Sequence, residues 1–273
     1  MANLSIESGG VTLAGEEAGE GIPVVLLHGM TANRRYVVMG SRALERGGHR
    51  VIAYDARGHG ESTPAPDPDA YDYDDLVTDL LAVLDDRGIE RAVLAGASMG
   101  AHTAARLAID HPDRVAGLVI ATPAFDPDAP GEAELERWDA LSEGLRSGGV
   151  EGFVEAYGVP DVPDQWRDTI DRVLRQRLAA HEHPDAVADA LHAVPRSRPF
   201  ERWEDLETID APTLVVASRD EADPGHPYAV GEAWTERIRG AELRSEDEGS
   251  SPLAWQGGQL SKVIAEVAER AAP

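Results

Sequence analysis

The sequence predicts an α/β fold, a mostly parallel central sheet with helices on both faces, and three observations predict it. Short apolar runs alternate with stretches of helical spacing over residues 22–121 and again over 212–270. One of these runs, at 91–95, ends in a glycine–serine–glycine turn that opens straight into a helical pattern. Between 126 and 210 the alternation stops and only helical spacing remains. Alternation at these lengths implies right-handed crossovers and parallel pairing. The interruption implies a helical cap of residues 126–210, inserted after the sixth strand into a core of 1–125 and 211–273. An insertion after a strand's carboxyl end hangs over the edge where open α/β sheets bind ligands, which makes it a candidate lid.

Each element has its own signal. Leu4–Ser8 and Val11–Ala14 flank Gly9-Gly10, the mark of a hairpin. Ile22–Leu27 is continuously apolar, as a strand buried on both faces must be. Thr31–Arg46 has helical spacing and Gly47-Gly48 ends it. Arg50–Tyr54 reads as a short strand, and the proline- and aspartate-rich 64–69 as an exposed loop. Leu76, Val77, Leu80, Leu81 and Leu84 form a helical stripe within Tyr73–Arg87. Arg91–Ala95 is a strand, Ala101–Ile109 a helix, and Val115–Ala121 another strand. In the cap, Leu135–Leu145, Gly152–Tyr157, Trp166–Ala180 and Pro184–Val194 read as helices. The core resumes with strands at Pro212–Ala217 and Ala241–Ser245 and helices at Pro227–Ile238 and Gln259–Arg270.

Composition excludes several classes. The 273 residues carry a formal net charge of −25, so nucleic acid and anionic membrane surfaces are poor partners. Lys262 is the single lysine, a bias that suits either a high-salt cytoplasm or arginine-rich codon usage. There is no cysteine, which excludes disulfides, thiolate metal sites and cysteine nucleophiles. No apolar stretch reaches the ~18 residues of a membrane helix, and no basic-then-apolar leader opens the chain. The expectation is a cytoplasmic protein of unassigned oligomeric state. His181-Glu182-His183 lacks a third ligand at metal spacing and reads as a solvated cap segment, so no metal is expected. No P-loop or dinucleotide fingerprint occurs, so no cofactor is expected either.

The chemistry starts at Gly96-Ala97-Ser98-Met99-Gly100. A serine on a sharp strand-to-helix turn sits in a strained backbone conformation, and small neighbours let the chain pass close to itself. The turn exposes the hydroxyl and leaves the Met99 N–H free at a helix start, aimed at a developing oxyanion.

On these residues the chain resembles the α/β-hydrolase family, with a cap of the kind found in small esterases and lactonases. His28-Gly29-Met30 resembles its oxyanion loop, Asp55-x-Arg57-Gly58-x-Gly60-x-Ser62 the loop after its fourth strand, and Gly96-x-Ser98-x-Gly100 its nucleophile elbow. The resemblance covers nearly the whole chain. It implies the α/β-hydrolase fold, Ser98 as nucleophile, and the backbone N–H groups of Met30 and Met99 as oxyanion hole. It makes His28 a shaper of the oxyanion loop and His59 a structural loop residue. It places an acid after the seventh strand, where Asp220 is the first choice and Asp223 the alternative; Asp126 occupies the other place where relatives keep one.

The chain departs from the family at the late histidine. Ser250, in Gly249-Ser250-Ser251-Pro252, stands where the base belongs, and no histidine follows His226. Two readings remain. In one, His226 substitutes as base and the protein is a serine hydrolase of small carboxylic esters or lactones, with Trp138, Phe153, Tyr157 and Trp166 of the cap supplying an apolar pocket. In the other, the protein is a degenerate hydrolase that binds a ligand. His102, one turn beyond Ser98, reads as packing.

Overall fold

The computed structural model describes residues 2–129, 131–219, 223–247, 255 and 257–271. The strands are β1 (Ala2–Ser8), β2 (Val11–Ala18), β3 (Ile22–Leu27), β4 (His49–Tyr54), β5 (Ala92–Ala97), β6 (Val115–Ala121), β7 (Thr213–Val216) and β8 (Glu242–Arg244). They form one sheet in the order β1-β2-β4-β3-β5-β6-β7-β8. β1 and β2 are a hairpin turned at Gly9-Gly10, and β2 meets β4 antiparallel. Every pairing from β4 to β8 is parallel. β3, β5, β6 and β7 are the buried centre, which is why their sequences run apolar without alternation.

The helices are α1 (Ala43–Arg46), α2 (Tyr73–Asp86), α3 (Met99–Asp110), α4 (Glu132–Tyr157), α5 (Asp164–Leu178), α6 (Pro184–Ala193), α7 (Tyr228–Arg237) and α8 (Gly258–Arg270). One face of the sheet buries Leu94 and Leu118 against Leu80 and Leu84 of α2, Leu107 of α3 and Trp234 of α7. The other buries Val24, Val93 and Val119 against Ile264 and Val267 of α8. Each such aliphatic side chain contributes about 1.5–3 kcal/mol. Among the described residues no helix is long and apolar enough to cross a membrane.

Two elements differ from the sequence reading. The helix expected over 31–46 shrinks to α1, because 31–40 is a run of turns. Asp55 holds that run by accepting from the Arg34 backbone N–H (2.7 Å) and guanidinium, and Met39 (φ 47°) and Gly40 (φ 71°) leave helical geometry altogether. The helices expected at 135–145 and 152–157 join in α4, which breaks at Gly149 (φ 59°, ψ −144°) and folds back. Its arms touch through Gly144 and Gly152, where a Cβ on either would lie within 2.5 Å of the other's carbonyl oxygen.

Between β6 and β7, α4, α5 and α6 bury a small core of their own around Leu141, Leu145, Phe153, Val187 and Leu191. A further cluster joins α6 to the sheet domain through Ala186, Ala190, Tyr71, Tyr73 and Met99.

Candidate active site

Ser98 occupies the turn between β5 and α3 with φ 49° and ψ −117°, a conformation that costs a non-glycine residue about 1–3 kcal/mol. The surroundings hold it there. Its N–H donates to Ala121 O on β6 (3.0 Å), and its carbonyl accepts from the His102 N–H (3.0 Å). A Cβ on Gly96 would lie 2.2 Å from Gly100 O, and one on Gly100 would lie 2.3 Å from Leu27 O. Only glycine lets strand, turn and helix cross this closely, which is the physical content of the motif. The loop after β3 runs alongside: a Cβ on Gly29 would be 3.5 Å from Ser98 Cβ. The Met99 N–H belongs to the unpaired first turn of α3, and the Met30 N–H has no acceptor among the described residues.

The loop that carries Met30 is braced from three sides by buried histidines. His28 Nδ1–H donates to Gly29 O (2.8 Å) and its Nε2 accepts from the Ala56 N–H (2.9 Å). The ring nitrogens of His59 face Arg57 O (2.9 Å) and Met30 O (2.5 Å). His181, between α5 and α6, accepts from the Gly60 N–H at Nδ1 (2.8 Å) and donates from Nε2 to Thr31 O (3.1 Å). His181 is therefore a buried strut and not part of a solvated segment. Burial, then the charge of His59, pushes His28 and His181 down to about 3; burial lowers His59 as well. Beneath them Arg57 makes a bidentate pair with buried Asp79 (2.8 Å at both oxygens) and a second with Asp75 (2.7 Å). None of these ring nitrogens is free to ligate a metal, and no three acidic or histidine side chains among the described residues are grouped to hold one.

Ser98, Met30 and Met99 line one cavity of about 350 Å³. Phe125 and Asp126, which follow β6, form part of its wall, as do Glu134, Leu135 and Trp138 of α4 and the segment 194–198. Of the four cap aromatics proposed for the pocket, Trp138 alone lines it. Phe153 is buried in the helical segment's own core and stacks on Tyr157 (6.3 Å). Tyr73 and Phe125 are the aromatics that sequence reasoning missed. Tyr73 carries no motif; it is the first residue of α2, directly after the Asp72 cap.

His226 and Asp223 form a pair, with His226 Nδ1–H donating to the Asp223 carboxylate at 2.8 Å from both oxygens. Burial pushes the Asp223 carboxyl up, but the hydrogen bond and charge of His226 and the charge of Arg177 outweigh it and hold it below the ordinary carboxylate range. Both side chains are partly exposed, on the loop between β7 and α7. His226 lies close enough to act electrostatically on His102, which lines the Ser98 cavity. Ser98 Oγ makes no hydrogen bond to His226 or to any other described residue. Asp220 and Ser250 lie outside the described residues. His192 pairs with Asp139 (2.8 Å) at the surface of the helical segment.

A family model for the alpha/beta hydrolase fold matches residues 22–169. The chain is 37% identical over 244 residues to the AB hydrolase superfamily protein YisY of Bacillus subtilis, covering 85% of this chain and 86% of that one. Its fold is similar to that of a thermophilic esterase from Thermogutta terrifontis, with a TM-score of 0.81 and 24% identity over the whole of both chains. It is also similar to Est816, an N-acyl homoserine lactone degrading enzyme, with a TM-score of 0.75 and 26% identity over 96% of this chain and 99% of that one. A matching family model over more than half the chain, identity sustained over most of a relative and a shared sheet topology lead to one conclusion: the protein belongs to the α/β-hydrolase family.

Proposed function

We propose that the protein is a serine hydrolase of carboxylic esters or lactones that works through an acyl-enzyme on Ser98. The observation that carries this reading is the elbow. A serine held in a strained turn, its Oγ unbonded in a cavity, stands beside two backbone N–H groups without protein acceptors. A carbonyl that turns into an oxyanion under attack is what that combination suits.

In this reading His226 Nε2 removes the Ser98 proton as Oγ bonds to the substrate carbonyl carbon. The carbonyl electrons move to oxygen, and the Met30 and Met99 N–H groups hold the oxyanion. Collapse breaks the carbon–oxygen bond of the ester, and the departing alkoxide takes the proton from His226. In a lactone the alkoxide stays tethered to the acyl chain. Water, deprotonated by His226, then repeats the sequence and frees the acid. Asp223 keeps the His226 proton on Nδ1, so that Nε2 is the basic nitrogen. For the transfer His226 must come within about 3 Å of Oγ. Residues 126–210 act as a cap, supported by the contribution of α4 and 194–198 to the cavity wall.

A second reading, ligand binding without turnover, is favoured by the absence, among the described residues, of any base bonded to Ser98 Oγ. Fluorophosphonate labelling read by intact mass separates the two. Capture by the wild type, lost in both Ser98→Ala and His226→Ala, is the expected outcome. Capture lost only in Ser98→Ala removes His226 from the mechanism. No capture at all leaves the binding protein.

A further inference from the structure

We propose that Tyr73 is a substrate-binding residue of the Ser98 cavity, a hydrogen-bond donor that selects acyl groups carrying an acceptor oxygen beside the reacting carbonyl. The inference rests on the ester and lactone reading above. It follows from proton counting at His102. His102 Nε2 accepts two backbone N–H groups, from Ala124 (3.1 Å) and Phe125 (3.3 Å). A ring nitrogen that accepts carries no proton, so the proton of the neutral ring is on Nδ1. The ring is kept neutral by burial, with the charge of His226 acting in the same direction. It cannot turn over without abandoning both N–H groups, and it is stacked on Trp234 at 5.6 Å.

His102 Nδ1–H therefore donates to Tyr73 Oη, 2.9 Å away. A phenol oxygen that has accepted still has its own proton to give. No described residue takes that proton: the other hydrogen bond of Tyr73 is made by its backbone N–H, to Ser197 Oγ. Burial pushes the phenol far above its usual range, so it stays a donor at every working pH. Tyr73 lines the same cavity as Ser98 and Met99. The chain thus spends a buried histidine, two backbone amides and a tryptophan on fixing the orientation of one hydroxyl. The proton has no taker among the described residues, and Tyr73 lines the cavity that holds Ser98, so a group bound there is its available acceptor. An enzyme site built around an unpaired donor rejects the substrate that cannot accept from it.

The test compares methyl 2-hydroxybutanoate with methyl butanoate. Wild-type kcat/KM should favour the hydroxy ester by roughly tenfold or more. Tyr73→Phe should abolish that preference, mainly through a raised KM for the hydroxy ester. Equal loss on both esters would make Tyr73 a structural residue and overturn the proposal. Calorimetric binding of the two esters to Ser98→Ala needs no turnover, so it separates a failure of this inference from a failure of the hydrolase reading. A preference for the hydroxy ester that disappears in the Ser98→Ala/Tyr73→Phe double variant supports Tyr73 even if the protein hydrolyses nothing; equal binding overturns it. If Tyr73→Phe does not fold, 15N NMR of the wild-type histidines decides the premise. His102 protonated on Nδ1 sustains it, and His102 protonated on Nε2 ends it.

Discussion

On one side of the Ser98 cavity, three buried histidines and the pair Arg34–Asp55 lock the loop after β3 against residues 55–62, which the pair Arg57–Asp79 ties in turn to α2. The His226–Asp223 pair, by contrast, stands on the partly exposed loop between β7 and α7, bonded to itself. The difference fits the roles proposed for the two regions. Donors that receive a developing negative charge are effective only when they are already in place. A base must pick up a proton at one atom and deliver it at another, which a rigid socket would hinder. The electrostatics differ as well: burial keeps His28 and His181 neutral, while His226 and Arg177 hold Asp223 ionised against the effect of its own burial.

Four measurements test this contrast, in descending order of magnitude. Acid should dismantle the buried side first. The folded-state pKa values of His28 and His181 lie near 3 against 6.5 in the unfolded chain. Unfolded chains therefore bind the extra protons, and stability is full above pH 6.5 and lost as pH falls from 6.5 towards 3. The two rings together cost about 3 kcal/mol per pH unit in that window; urea midpoints between pH 7 and 4 measure it, and a flat profile would refute the picture of neutral buried rings. Next, Arg57→Ala strands Asp79 without a partner and should lower stability by about 3–5 kcal/mol, read from the same denaturation curves. Asp223→Asn acts on the other side. It should lower kcat by about 10²–10³-fold and leave stability within about 0.5 kcal/mol, whereas Asp220→Asn should leave kcat in place. If Asp220→Asn carries the larger loss, the pair assigned here is the wrong one. Smallest is His181→Gln, which keeps one donor and one acceptor. At pH 7 it should cost within about 1 kcal/mol, and it should flatten the acid slope by about 1.4 kcal/mol per pH unit.

How much was legible in the sequence follows the same line. β3 and β6 run over the residues whose apolar continuity marked them, Ile22–Leu27 and Val115–Ala121, because burial on both faces leaves no other pattern. The glycines around Ser98 were legible because close backbone crossing restricts the residue type locally. Thr31–Arg46 misled because helical spacing there competes with Asp55, twenty-one residues from Arg34, and the ion pair wins. His226 and Asp223 are three residues apart, so their pairing was within reach of spacing; their distance from Ser98 depends on how a loop lies and was not. The Tyr73–His102 bond and the His181 strut join residues 29 and 150 positions apart, and no periodicity records such meetings.

The His181 strut has a mechanical meaning. To lift the segment between α5 and α6 off the sheet domain, the protein must break the His181 bonds to Gly60 and Thr31 and the bond from the Glu182 N–H to Gly60 O. Thr31 is the neighbour of Met30, so that displacement pulls on the amide beside Ser98. Linkage runs both ways: a bound group that fixes the Met30 amide also holds the helical segment down. Movement of that segment and displacement of the Met30 amide are thereby coupled, through a chain of three hydrogen bonds.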